Sequence, residues 1–212
     1  MTVGSPITKL PSFRRHRIYT GPPGERTSCV VGDLNNDGTP EIVIATRAPQ
    51  PQLHWLGRDS AGEWDCHLID DTFDSIGVSG ILIDLTGNGK LDLIAGSNYR
   101  GNHIYWWECP DDPTRRWQRR EVFRMPAGQT HDQTVADIDG DGRPELYFWN
   151  QGSKSIFWVP IPEDPYVFPW PNVRPLATGV NEEGMSVADV DGDGWLELIA
   201  GQSWYRLLPD GE

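Results

Sequence analysis

The chain has 212 residues, enough for a sizeable buried core, and sets 18 Lys and Arg against 31 Asp and Glu, a formal charge of −13. That balance, without a Lys/Arg cluster, argues against nucleic acid as a partner. No apolar run approaches the roughly 18 residues of a membrane span.

Residues 1–12 read as an irregular arm without the apolar core of an export signal. RRHRIYTG (14–21) alternates as a strand does. Short strand candidates follow at 28–34, 41–47, 52–58 and 64–70, then at 80–85, 91–97, 103–109 and 117–123. A third group lies at 134–138, 145–150, 155–160 and 172–179, and a fourth at 185–190, 196–201 and 203–208. Cys29, Cys66 and Cys109 are odd in number and widely spaced, so they form no disulfide framework or metal motif and read as buried thiols.

One loop recurs after the first strand candidate of each group: DLNNDGTPE from Asp33, DLTGNGKLD from Asp84, DIDGDGRPE from Asp137 and DVDGDGWLE from Asp189, spaced by 51, 53 and 52 residues. Positions 1, 3, 5 and 9 carry oxygen: Asp33, Asn35, Asp37 and Glu41; Asp84, Thr86, Asn88 and Asp92; Asp137, Asp139, Asp141 and Glu145; Asp189, Asp191, Asp193 and Glu197. Position 6 is always Gly, which permits a sharp turn, and position 7 (Thr39, Lys90, Arg143, Trp195) lends a backbone carbonyl. Hard oxygen ligands at alternate positions suit Ca²⁺, and the absence of nitrogen and sulfur argues against zinc. An EF-hand would need a Glu at position 12, where Ile44, Ala95, Phe148 and Ala200 stand instead, so the ligand set closes at position 9. Up to four structural Ca²⁺ ions are expected, with the second site weakest because it has two carboxylates. A turn alone would need no acid at position 9.

Four antiparallel strands per repeat predict an all-β fold, a β-propeller, with blades at about 27–71, 78–124, 132–179 and 184–212 within residues 13–212. Trp55, Trp106 and Trp158 follow their loop Asp by 22, 22 and 21 residues, and Trp64, Trp117 and Trp170 by 31, 33 and 33, as rings packing between blades would. The fourth blade lacks an outer strand, and residues 14–21 resemble one, a closing strand. Either four blades close on themselves or they form part of a larger ring.

The loops, the apolar strand after each and the Trp-bearing third strand resemble FG-GAP/VCBS-type repeats over roughly residues 14–212. The family's Phe-Gly survives as Ile76-Gly77 and its Gly-Ala-Pro as ATRAP (45–49). The resemblance implies a calcium-stabilised propeller, often seven-bladed, of the kind found in integrin α chains, fungal lectins and some sugar-processing enzymes.

Residues that break the repeat are the candidates for function. On the face opposite the loops they are Arg47, Asn98, Tyr99, Arg100, Asn102, His131, Asp132, Asn150, Gln151, Lys154 and Gln202. Polar side chains with an aromatic ring suit a carbohydrate, and a protein partner is the alternative. An enzyme of lyase or dehydratase type would use His131, Tyr99 and Arg100, without a strong catalytic constellation behind them; an assembly scaffold is the third reading. Trp107, Trp149 and Trp195 also depart from the repeat. Calcium loops of this type point to an extracellular or cell-surface setting, and the lack of an export signal to a cytoplasmic one.

Overall fold

The computed structural model describes residues 12–21, 24–181 and 183–208. They form strands and loops with no helix among the described residues. Sheet 1 holds β1 (Glu25–Gly32), β2 (Glu41–Ala48), β3 (Gln52–Arg58) and β4 (Trp64–Asp70). Sheet 2 holds β5 (Ile81–Ile83), β6 (Asp92–Gly96), β7 (His103–Glu108) and β8 (Gln118–Arg124). Sheet 3 holds β9 (Thr130–Ala136), β10 (Glu145–Asn150), β11 (Ser155–Pro160) and β12 (Arg174–Thr178). Sheet 4 has three strands, β13 (Met185–Ala188), β14 (Glu197–Ala200) and β15 (Ser203–Tyr205). All are antiparallel and ordered as in the chain, because each connection within a sheet joins neighbouring strands.

The sheets stack in series through three cores. Sheet 1 turns Leu34, Val43 and Trp55 towards Leu93, Ala95 and Trp107 of sheet 2. Sheet 2 turns Leu85, Ile94 and Trp106 towards Leu146, Phe148 and Val159 of sheet 3. Sheet 3 turns Ile138, Tyr147 and Trp158 towards Leu198, Ala200 and Tyr205 of sheet 4. The middle sheets are covered on both faces, so β6 and β10 are buried along their whole length and read as unbroken apolar runs. Truncating one large ring in such a core costs on the order of 3–5 kcal/mol.

The first strands run side by side and are stitched at repeat-equivalent positions. Ser28 Oγ donates to the Ser79 carbonyl (2.9 Å), Ser79 Oγ to the His131 carbonyl (3.3 Å), and the Gly184 N–H to Asp132 Oδ2 (2.9 Å). Approach is close there: a Cβ on Gly96 would lie 2.5 Å from Thr130 Cβ.

In each four-stranded sheet the third-strand Trp faces a cationic or imidazole side chain on the outer strand. Trp55 lies opposite His67 with ring centroids 4.3 Å apart. Arg120 lies opposite Trp106, its guanidinium 5.5 Å from the ring, and Arg174 opposite Trp158 at 5.8 Å.

Several expectations are corrected. No core joins sheet 4 to sheet 1 among the described residues, so of the two expected arrangements the four sheets do not form the closed four-bladed ring. Residues 14–21 form no strand here. Residues 17–21 line a groove with Ile44 and Leu56 on the free face of sheet 1, and Tyr19 sits 6.1 Å from the His54 ring. Most of the expected 1–12 arm lies outside the described residues. Of the cysteines only Cys109 is buried; Cys29 is exposed and Cys66 half-buried, because both sit on that free face. Trp64 belongs to no inter-sheet core and lies under Arg58, 4.5 Å from its guanidinium. Trp107 and Trp149, which break the repeat, are core residues 0% and 1% exposed.

Candidate metal centres and the opposite face

All four acidic loops join the first strand of a sheet to the second, at the same end of the strands in every sheet. Each is shaped by its own side chains. The position-1 Asp receives the N–H of the position-6 Gly: Gly38 to Asp33 (2.9 Å), Gly89 to Asp84 (2.8 Å), Gly142 to Asp137 (2.9 Å) and Gly194 to Asp189 (3.0 Å). The position-5 side chain receives the position-7 N–H: Thr39 to Asp37, Lys90 to Asn88, Arg143 to Asp141 and Trp195 to Asp193. Position 6 has φ between 81° and 93°, as its glycine was expected to allow. Position 4 is left-handed as well, at Asn36 (φ 59°), Gly87, Gly140 and Gly192. That second kink escaped the sequence analysis, although every copy places Asn or Gly there.

The position-9 acids are the roots of the loops, with Glu41, Asp92, Glu145 and Glu197 all buried at the start of the second strand. Each accepts the N–H of position 2: Leu34 to Glu41 Oε2 (2.7 Å), Leu85 to Asp92 Oδ2 (3.1 Å), Ile138 to Glu145 Oε2 (3.2 Å) and Val190 to Glu197 Oε2 (2.8 Å). Burial, reinforced by the neighbouring Asp residues, raises the Glu41 and Glu145 carboxyls above their ordinary range.

The loops differ in what they offer a cation. In the third, Asp137, Asp139, Asp141 and Glu145 bring four carboxylates within 4.8 Å of one another. Asp137 Oδ1 is buried there without a hydrogen-bond donor. In the fourth, Asp189, Asp191 and Glu197 meet the same limit, and Glu197 Oε1 is likewise buried without a donor. Arg206 reaches over this loop to Asp191 (2.6 Å) and to Asp193, the latter turned out of the cluster. In the first, the Asn35 amide bridges Asp37 (3.1 Å) and Glu41 (3.2 Å), a task a cation would take over once the amide turned its oxygen inward. The third and fourth donor sets fit a hard divalent cation, since buried carboxylate oxygens without donors are costly unless a positive charge meets them.

The second loop fits poorly. Asp92 is one methylene shorter than Glu and both its oxygens are taken, Oδ2 by the Leu85 N–H and Oδ1 by the Cys109 N–H (2.8 Å). Burial pushes its carboxyl up to about 6. Thr86 Oγ1 is buried without a partner, and Lys90 turns its side chain away to Asp111.

The opposite end holds two groupings. Tyr99 is 60% exposed, with the Arg100 and Arg47 guanidinium carbons 5.5 and 6.0 Å from its ring centre. Arg47 also pairs with Glu25. In the second, His131 Nδ1 lies 2.8 Å from Asp132 Oδ2 and its ring stands edge-on to Trp149 at 5.9 Å. Asp132 caps Gly184 and so stitches strands, and Gln151 reaches Glu183 at 3.2 Å. The remaining candidates serve the loops. Asn98 accepts from Ser75 Oγ and the Arg100 N–H, Asn102 donates to the Met125 carbonyl, and the fully buried Asn150 donates to the carbonyls of Ala127 and Gln129. Lys154 sits in a turn at φ 51°, and Gln202 is exposed.

These features define a class: an all-β repeat protein whose sheets each carry an acidic loop, with carboxylate clusters in the third and fourth that could hold a metal ion. The FG-GAP-like repeat family matches residues 84–148 and 137–200, more than half of the chain, and the chain belongs to it. No curated protein matches it. Among solved structures, the crystal structure of the V. cholerae biofilm matrix protein Bap1 is similar at 15% identity and a TM-score of 0.48. That alignment covers 86% of this chain but 29% of the other, so this chain spans less than a third of that protein's length.

Proposed function

We propose that the chain is a calcium-stabilised arc of propeller blades that binds carbohydrate at the end opposite its calcium loops. Calcium at loops one, three and four would neutralise the clustered carboxylates and brace the turn between the first two strands of each blade. Millimolar free calcium, as outside cells, would keep such open sites filled.

The observation that carries the binding reading is the Tyr99 ring, largely solvent-facing and flanked by Arg47 and Arg100. A flat exposed ring suits the apolar face of a sugar, and a guanidinium fork suits a carboxylate, so the chemistry favours a uronate-bearing glycan. Calorimetric titration with acidic oligosaccharides tests this. Tyr99→Ala and Arg100→Ala should each weaken binding about tenfold or more, near 1.4 kcal/mol, with unchanged melting. No binding by the unaltered chain, or equal binding by both variants, refutes the reading.

A further inference from the structure

Arg47 and Arg100 flank the same ring but differ in what they already hold. The Arg47 fork is engaged by Glu25, with Nε donating to Oε2 at 3.0 Å and a terminal nitrogen donating to Oε1. Arg100 forms no ion pair among the described residues and keeps its guanidinium carbon 5.5 Å from the Tyr99 centre. The Glu25 carboxyl lies below its usual range, chiefly because of the hydrogen bonding from Arg47, and the Arg100 charge acts in the same direction. One resident carboxylate therefore answers to both guanidinium groups beside the ring. A ligand's carboxylate would want the same position, because two parallel N–H···O bonds are how arginine recognises such a group.

The pair is foreign to the repeat. Glu25 stands eight residues before its loop Asp, and Arg47 fourteen after it. Ile76 and Asn98 hold these places in the second repeat, and Gln129 and Gln151 in the third. In the third repeat the two strands are joined there by a backbone bond, the Gln151 N–H donating to the Gln129 carbonyl at 2.9 Å. Blade geometry thus does not call for an ion pair at this place. Nor does stability: the Glu25 and Arg47 side chains are 51% and 23% exposed, and exposed pairs contribute little. Glu25 can swing into water at small cost, and another carboxylate can take its place.

We infer that Glu25 is the specificity gate of the Tyr99 site, a resident carboxylate that an acidic glycan displaces from Arg47. This role rests on the glycan site proposed at Tyr99. At rest the two guanidinium groups and one carboxylate sum to a single positive charge, so Arg100 meets an incoming anion first. Arg47 joins once Glu25 has left, giving the ligand a second fork. A neutral sugar stacked on Tyr99 has nothing to exchange with Glu25. Glu25 therefore sets how much the site gains from a ligand's negative charge.

Calorimetric titration with trigalacturonate, and with its methyl ester, which keeps the sugar rings but not the charges, tests this. Glu25→Gln keeps the size of the side chain and removes its charge. It should tighten trigalacturonate binding roughly two- to fivefold, the range an exposed ion pair accounts for, with unchanged melting. The methyl ester should show no such gain. Arg47→Ala should cost more affinity in the Glu25→Gln chain than in the unaltered one, because only there does Arg47 meet the ligand without a competitor. Equal or weaker trigalacturonate binding by Glu25→Gln, or the same gain for the methyl ester, overturns the gate; where the unaltered chain binds trigalacturonate in that case, the glycan site itself stands. Binding by neither chain overturns both.

Discussion

Asp139→Asn should change sign with calcium, and that reversal probes the third loop directly. Asp139 shares its site with three other carboxylates, all within 4.8 Å. Two unit charges at that distance repel by about 0.9 kcal/mol in bulk water and several times more beside protein. The Asp139 Oδ1 accepts the Asp141 N–H at 3.1 Å, and Asn retains that acceptor while deleting the charge. Without metal, the substitution should therefore stabilise the fold, by on the order of 1 kcal/mol once solvent screening of this exposed side chain is allowed for. With calcium it removes a ligand. A site with a constant near 10⁻⁴ M contributes about 1.4–1.8 kcal/mol at roughly 1–2 mM free ion. At about 2–4 °C per kcal/mol for a chain of this size, the calcium-induced rise in Tm should shrink by roughly 3–7 °C. The EDTA melt should instead rise by about 2–4 °C. Scanning calorimetry of both proteins in calcium and in EDTA reads all four values. A shift of the same sign in both buffers, or a wild-type melt indifferent to calcium, refutes the reasoning.

The second loop yields a pH prediction. Burial holds Asp92 up to about 6, so in calcium-free buffer the folded chain binds this proton more tightly than the unfolded one does. Its ionisation therefore penalises the fold above that value, and the penalty fades as pH falls towards the ordinary carboxylate range. Going from about pH 7 to about pH 5 should return roughly 1 kcal/mol that Asp92→Asn does not gain, measured by urea unfolding of both proteins. A stability difference between them that does not change with pH counts against this.

Much of the architecture was legible because it repeats. Four loops in phase fixed where each sheet begins, and period-two and apolar runs marked all fifteen strands, whose described ends lie close to the expected spans. What stayed hidden depends on distances that no spacing carries. Asn98, Asn102 and Asn150 look like an exposed polar surface in sequence, yet their amides hold turns together. Asp132 breaks the repeat in sequence and so looks like a ligand-binding residue, yet it occupies the stitching position of Ser28 and Ser79. Trp107 and Trp149 break the repeat because they sit on strands covered on both faces, where each ring is buried in a core between sheets. In the second loop, Thr86 and Asn88 flagged a weak site, but the stronger reason lies in Asp92, whose shorter side chain leaves both oxygens on backbone N–H groups.

The loops are the centre of the account, and anomalous diffraction from crystals grown with calcium reads them one by one. Ions are expected in the first, third and fourth loops, the strongest among Asp137, Asp139, Asp141 and Glu145, with the second loop empty. Peaks absent from all four loops, or equally strong beside Asp92, would contradict it.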